Sequence, residues 1–238
     1  GRYAHVAEFF TQQNINVWAF DRRGHGRSEG KRGFSPNYEV MLDEIAHFLA
    51  QARAENPDTP LFLYGHSMGG NLVLQYTLDR QPELNGLIVS APLILPGFEP
   101  PKLLLQLARL LRSVYPQFTQ PNNIDQEHLC RDKSVIEAYD NDPLVHDKIS
   151  ASLAVDSLDV GKQLNNFQGT LPVPTLIMHG SADQVTDPVA SAAFAKRVDG
   201  AVTFKNWEGF YHELHNEPEQ MEVFQYTLNW IQSLFQQN

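Results

Sequence analysis

Ser67 stands in LFLYGHSMGGNLVLQY, residues 61–76, fenced by Gly65, Gly69 and Gly70. An apolar β-type run precedes it and a helix-period run follows, so G-x-S-x-G becomes a tight strand-to-helix turn of the nucleophile-elbow kind. Glycines on either side keep bulk out of that turn. The serine then heads a helix whose amides and dipole favour developing negative charge. A hydroxyl in that place can open acyl transfer if a base takes its proton and a carboxylate orients the base.

Both partners are expected on loops at strand carboxyl ends, in the order Ser, acid, His. Asp183 lies just past the strand-type run TLIMHG (175–180). Its rival Asp187 opens the next helix and reads as an N-cap. Past VTFKNW (202–207) comes EGFYHELHNEPE, with His212 near the strand end and His215 already turning towards the last helix. The expected set is Ser67, Asp183 and His212. His66, beside the serine, points away in such an elbow and reads as packing. His25, in DRRGHGRS, belongs to a glycine-rich structured turn. No close His/Cys/Asp cluster has metal-ligand spacing, so no metal is expected.

Five β-type runs frame these residues: 15–20 (INVWAF), 61–64, 87–91, 175–180 and 202–207. Helix-period segments at 3–13, 38–55, 68–80, 188–198 and 219–235 alternate with them. Continuous apolar strands alternating with helices predict an α/β fold, a mostly parallel sheet covered on both faces. The alternation breaks between 92 and 171, where no good strand is visible. The expected organisation is therefore a core part at 1–91, a helical lid insertion at 92–171 and a second core part at 172–238. In the last helix, Met221, Phe224, Leu228, Ile231 and Phe235 fall at core-facing spacing.

The 238 residues carry a net charge of −10, which argues against a nucleic-acid partner. The single cysteine, Cys130, can form no internal disulfide and fits a reducing, cytoplasmic setting. No run reaches the roughly 18 apolar residues of a membrane span. Oligomeric state is not legible.

FDRRGHGRSEG, GHSMGGNL, YDNDPLVH, MHGSADQVTDP and GFYHELHNEPE together resemble the monoacylglycerol lipase and lysophospholipase group of α/β-hydrolases. The resemblance implies Ser67 as nucleophile, Asp183 as acid, His212 as base and the Met68 amide as an oxyanion donor. It implies two-step hydrolysis of acyl-lipid esters through an acyl-serine, without a cofactor.

Three departures accompany it. The family's HGxG-like loop and first strands, expected before G-R-Y, are missing. Either a strand is then absent between 15–20 and 61–64, or those runs pair directly. Losing one oxyanion donor typically costs about 10²–10³ in kcat. Next, the turn before Tyr139 reads KSVIEA, without the acid expected to hold glycerol, and Arg2 remains as a polar contact to a head group. Finally, KLLLQLARLLRSV (102–114) carries a helical apolar stripe including Leu104 and Leu107, with basic residues beside it. This reads as a lid that lines an acyl tunnel and makes transient contact with a membrane or micelle, or as a stripe that only packs the lid onto the body. The alternatives are a thioesterase or peptidase on the same triad, or an inactive hydrolase-like chain. Epoxide hydrolase and dehalogenase chemistry would need a carboxylate at position 67.

Overall fold

The computed structural model describes residues 1–236. Four strands form the main sheet: β1 (Phe62–His66), β2 (Gly86–Ser90), β5 (Thr175–Gly180) and β6 (Val202–Trp207). They lie side by side in that order and all pair in parallel. A short antiparallel pair, β3 (Thr119–Pro121) with β4 (Lys148–Ser150), falls between them in sequence. It lies in the block where the sequence predicts no good strand. Three residues per strand are too few to leave an alternation pattern.

The helices are α1 (Ala4–Gln12), α2 (Tyr38–Glu55), α3 (Met68–Arg80), α4 (Lys102–Val114), α5 (Lys133–Asn141), α6 (Ala151–Asn166), α7 (Pro188–Arg197) and α8 (Gln220–Ser233). Strand side chains alternate between two cores. Leu87, Val89 and Ile177 pack with Leu42, Leu72, Leu164 and Phe194 of α2, α3, α6 and α7. Ile88, Leu176 and Met178 pack on the other face with Phe224 and Ile231 of α8 and with α1. Each buried leucine or isoleucine contributes about 1.5–3 kcal/mol. These two covers fix the heights at which the β1, β5 and β6 ends open into loops.

The strand predicted at 15–20 does not form: its chain pairs with neither β1 nor any other described strand. Val17, Trp18 and Phe20 stay exposed, and Trp18 and Phe20 only lean on Phe48, with centroids 6.4 and 4.4 Å away. β-branched and aromatic content favours extended backbone, but a strand exists only where a neighbour accepts its ladder. The direct pairing of 15–20 with β1 is likewise not adopted. In α8 the core stripe holds for Phe224, Leu228 and Ile231, while Met221 and Phe235, at or beyond the helix ends, are exposed. No described helix is long and apolar enough to cross a membrane.

Candidate active site

Ser67 sits between β1 and α3 with φ +58° and ψ −122°, a backbone state that non-glycine residues avoid. Three hydrogen bonds hold it there. Its N–H donates to Ser90 O (3.0 Å), and its carbonyl accepts from Asn71 N (3.1 Å) and Leu93 N (3.0 Å). A Cβ on Gly65 would lie 2.4 Å from the Gly69 carbonyl oxygen, and one on Gly70 would lie 2.9 Å from Pro92 Cα. Those two glycines are sterically required. Gly69 is not, because a Cβ there meets nothing within 4 Å. The Met68 amide opens α3 beside the serine, at the positive end of the helix dipole.

Asp183 lies in the loop after β5 and is buried. Its Oδ1 accepts from Val185 N (2.7 Å) and Thr186 N (3.1 Å). Its Oδ2 meets His212 Nδ1 (2.7 Å), His179 Nε2 (2.9 Å) and Thr186 Oγ1 (2.9 Å). Burial would raise this carboxyl, but the His212 and His179 imidazoles reverse the effect and hold it well below the usual carboxylate range. It is an anion at neutral pH. Asp187 accepts from Val189 N at 2.8 Å as the N-cap of α7.

His212, in the loop after β6, is buried against Asp183. With the carboxylate accepting, Nδ1 carries the proton and Nε2 is left as the base. Ser67 Oγ makes no hydrogen bond to His212 in this structure, although the ring of the residue before it, His66, lies 4.6 Å from that of His212, tilted by 50°. Unliganded active sites often leave this bond open. His66 is thus packed, as its position predicts, but against His212 rather than away from it. Burial, then the neighbouring imidazoles, push His66 well below its ordinary value, so it stays neutral. His215 does not reach Asp183. It stacks on Tyr3 at 4.6 Å, and burial pushes it down to about 4.

The substrate-binding candidates do not converge on one place. Arg2 pairs with Glu213 at 2.5 Å and lies 4.4 Å over the Tyr139 ring, joining the chain before α1 to α5 and the histidine loop. Glu213 also accepts from Asn216 Nδ2 at 2.7 Å. Burial works against its charge, but Arg2 beside it holds the carboxyl below its ordinary value. Leu104 and Leu107 line a separate crevice under α4 with Phe118 and Ala154. A larger cleft of about 690 Å³ opens beside the Asp183 loop, lined by Leu95, Phe98, Leu105 and Leu158 among others. His25 occupies the predicted turn, its Nδ1 3.0 Å from Arg23 O and its ring tilted against that of His146 at 4.9 Å. The sequence reading missed His179 and Thr186. A histidine inside the otherwise apolar β5 run was the available signal for the first.

Residues 1–219 match the family Hydrolase_4, described as serine aminopeptidase, S33. An abhydrolase domain-containing protein of Dictyostelium discoideum is 42% identical over 97% of this chain, which spans 25% of that protein's length. A monoacylglycerol lipase of Mycolicibacterium smegmatis is 32% identical over 98% of this chain and 84% of its own. The crystal structure of a monoacylglycerol lipase from Paleococcus ferrophilus superposes with a TM-score of 0.87, at 29% identity, over 98% of this chain and 90% of that one. With an elbow serine at the end of a parallel strand and a buried acid–histidine pair on the loops after β5 and β6, the chain belongs to the monoacylglycerol lipase-like group of the Hydrolase_4 family of α/β-hydrolases.

Proposed function

We propose that the chain is a serine hydrolase of acyl-lipid monoesters, with Ser67, His212 and Asp183 as its catalytic residues. His212 Nε2 takes the Ser67 proton as Oγ attacks the ester carbonyl. The Met68 N–H meets the oxyanion, and the imidazolium then protonates the leaving alcohol. Water, deprotonated by the same ring, releases the fatty acid from the acyl-serine. Asp183 keeps the Nδ1 proton in place and stabilises the imidazolium. The observation that carries this reading is the buried 2.7 Å Asp183–His212 bond beside a strained elbow serine.

Three features support a lipid substrate. Two of the three relatives above are named monoacylglycerol lipases. The cleft beside Asp183 offers Leu95, Phe98, Leu105 and Leu158 to an acyl chain, with Glu99, Lys102 and Lys162 as charged parts of the same lining. The face of α4 bearing Leu103, Leu110 and Val114 is 79%, 60% and 72% exposed. An apolar stripe this open suits transient contact with a membrane or micelle. Arg112 and Arg109 are turned towards α6, pairing with Asp156 at 2.6 Å and Asp159 at 3.2 Å. Those pairs hold α4 against α6, which supports the reading of 92–171 as a lid. Arg2 and Tyr139 support the histidine loop rather than a head group, because the Arg2 guanidinium is engaged by Glu213. The lone thiol, Cys130, fits a reducing compartment.

The family description also names aminopeptidases, so the test must separate ester from amide. The wild-type chain and Ser67→Ala are compared for labelling by a fluorophosphonate and for turnover of a monoacylglycerol and an aminoacyl arylamide. Labelling and ester turnover in the wild type alone support the proposal. Labelling that survives Ser67→Ala, or amide turnover above ester turnover, overturns it.

A further inference from the structure

His179 is fully buried in β5 and takes no part in the mechanism above. Its Nε2 lies 2.9 Å from Asp183 Oδ2, the oxygen that also receives His212 Nδ1 at 2.7 Å. Its Nδ1 lies 2.8 Å from Ser191 Oγ on α7, and Ser191 is itself fully buried. An ionised carboxylate only accepts, so Nε2 must carry a proton. In the neutral ring Nδ1 then accepts the Ser191 hydroxyl proton.

We propose that His179 is a positioning residue for the catalytic acid: its Nε2–H shares Asp183 Oδ2 with His212, and Ser191 holds the tautomer that makes this sharing possible. The chain Ser191–His179–Asp183–His212 gives the carboxylate oxygen a second imidazole donor besides the base. It also divides the charge of Oδ2 between two imidazoles, so His212 faces only part of it. Thr186 Oγ1, 2.9 Å from Oδ2, and the two backbone donors on Oδ1 complete the cage. Without His179 the carboxylate would gain freedom and leave more charge for His212, which favours the imidazolium. The inference rests on the reading of Ser67, Asp183 and His212 as the active site.

The other ionisable groups around His212 are His66 from β1 and His215 from its own loop, with Glu213 and Arg2 beyond them. All are untouched in the test variants. His179→Leu, His179→Gln, Ser191→Ala and Ser67→Ala are made in the intact chain. Each is assayed on a short chromogenic ester from pH 5 to 9, with circular dichroism as a check on folding.

His179→Leu is expected to lower kcat about 10–100-fold, the usual effect of losing a supporting partner, with KM within about twofold. The acid limb of kcat/KM should move to higher pH, because the free base is protonated more readily. His179→Gln restores an N–H in the same place and should recover most of kcat and the original limb. If the leucine variant fails to fold, Ser191→Ala decides: a smaller fall with the same shift of the limb supports the coupling, and an unchanged profile overturns it. A folded His179→Leu with wild-type kcat and limb, or a glutamine variant as impaired as the leucine one, also overturns it. Activity that survives Ser67→Ala refutes the site itself and the coupling with it, and is distinguishable because the other variants then leave no trace on the profile.

Discussion

Replacing Asp183 with asparagine tests the acid without changing its shape. The new amide has two orientations. In one, its oxygen keeps the Oδ1 position, where the Val185 and Thr186 backbone N–H groups donate at 2.7 and 3.1 Å. In the other, an NH₂ would face those two donors and orphan them, at about 1–3 kcal/mol each. Backbone amides cannot reverse polarity, whereas imidazoles can change tautomer. The first orientation therefore prevails, and its NH₂ faces His212 Nδ1 and His179 Nε2.

Both rings then shift their protons away from the amide, and His179 has Ser191 Oγ available on its far side to accept. For His212 the shift is fatal to catalysis: its proton moves to Nε2, the nitrogen that should take the proton of Ser67. In a serine protease the same tautomer error lowers kcat about 10⁴-fold, or about 5.5 kcal/mol. We expect a loss of that order for Asp183→Asn, read as kcat on a short chromogenic ester with circular dichroism unchanged. Fluorophosphonate labelling should slow in parallel. A folded variant within about tenfold of wild type would refute both the role of Asp183 and the tautomer argument.

Other outcomes follow from the same geometry. Gly65→Ala should abolish activity or unfold the chain, since its Cβ would lie 2.4 Å from a backbone oxygen, while Gly69→Ala, which meets nothing within 4 Å, should keep near wild-type activity and melting temperature. Leu104→Glu and Leu107→Glu should impair turnover of long-chain monoesters more than short-chain ones, and equal losses on both would count against a lid role. Stability should fall as pH drops from about 6.5 towards 4. Burial lowers His215 to about 4 in the folded chain against about 6.5 unfolded, so the unfolded state binds the proton first. The full effect of that residue is about 3 kcal/mol, and urea midpoints that stay flat over this range in wild type would refute it.

Much of this was written in the chain itself. G-x-S-x-G between an apolar strand and a helix fixes the elbow through local sterics. Asp183 and His212 sit within a few residues of strand ends, and run length and composition locate those ends well. Asp187 declares itself as an N-cap through the helix it opens. Such features depend on neighbours in sequence, which is why they were legible.

Other features depend on what lies opposite. INVWAF has a strand's composition, but the fold offers it no partner, and the ladder is a property of the pair. Arg2 carries a charge that suits a polar head group; the fold pairs it with Glu213, 211 residues away. His66 was expected to pack, but only the meeting of β1 with the loop after β6 set it against His212. The cage around Asp183 is decided in the same way, because α7 brings Ser191 behind His179 and no spacing within either segment encodes that meeting. Chemistry-bearing residues are therefore named by the sequence, and tertiary packing decides which of them face one another.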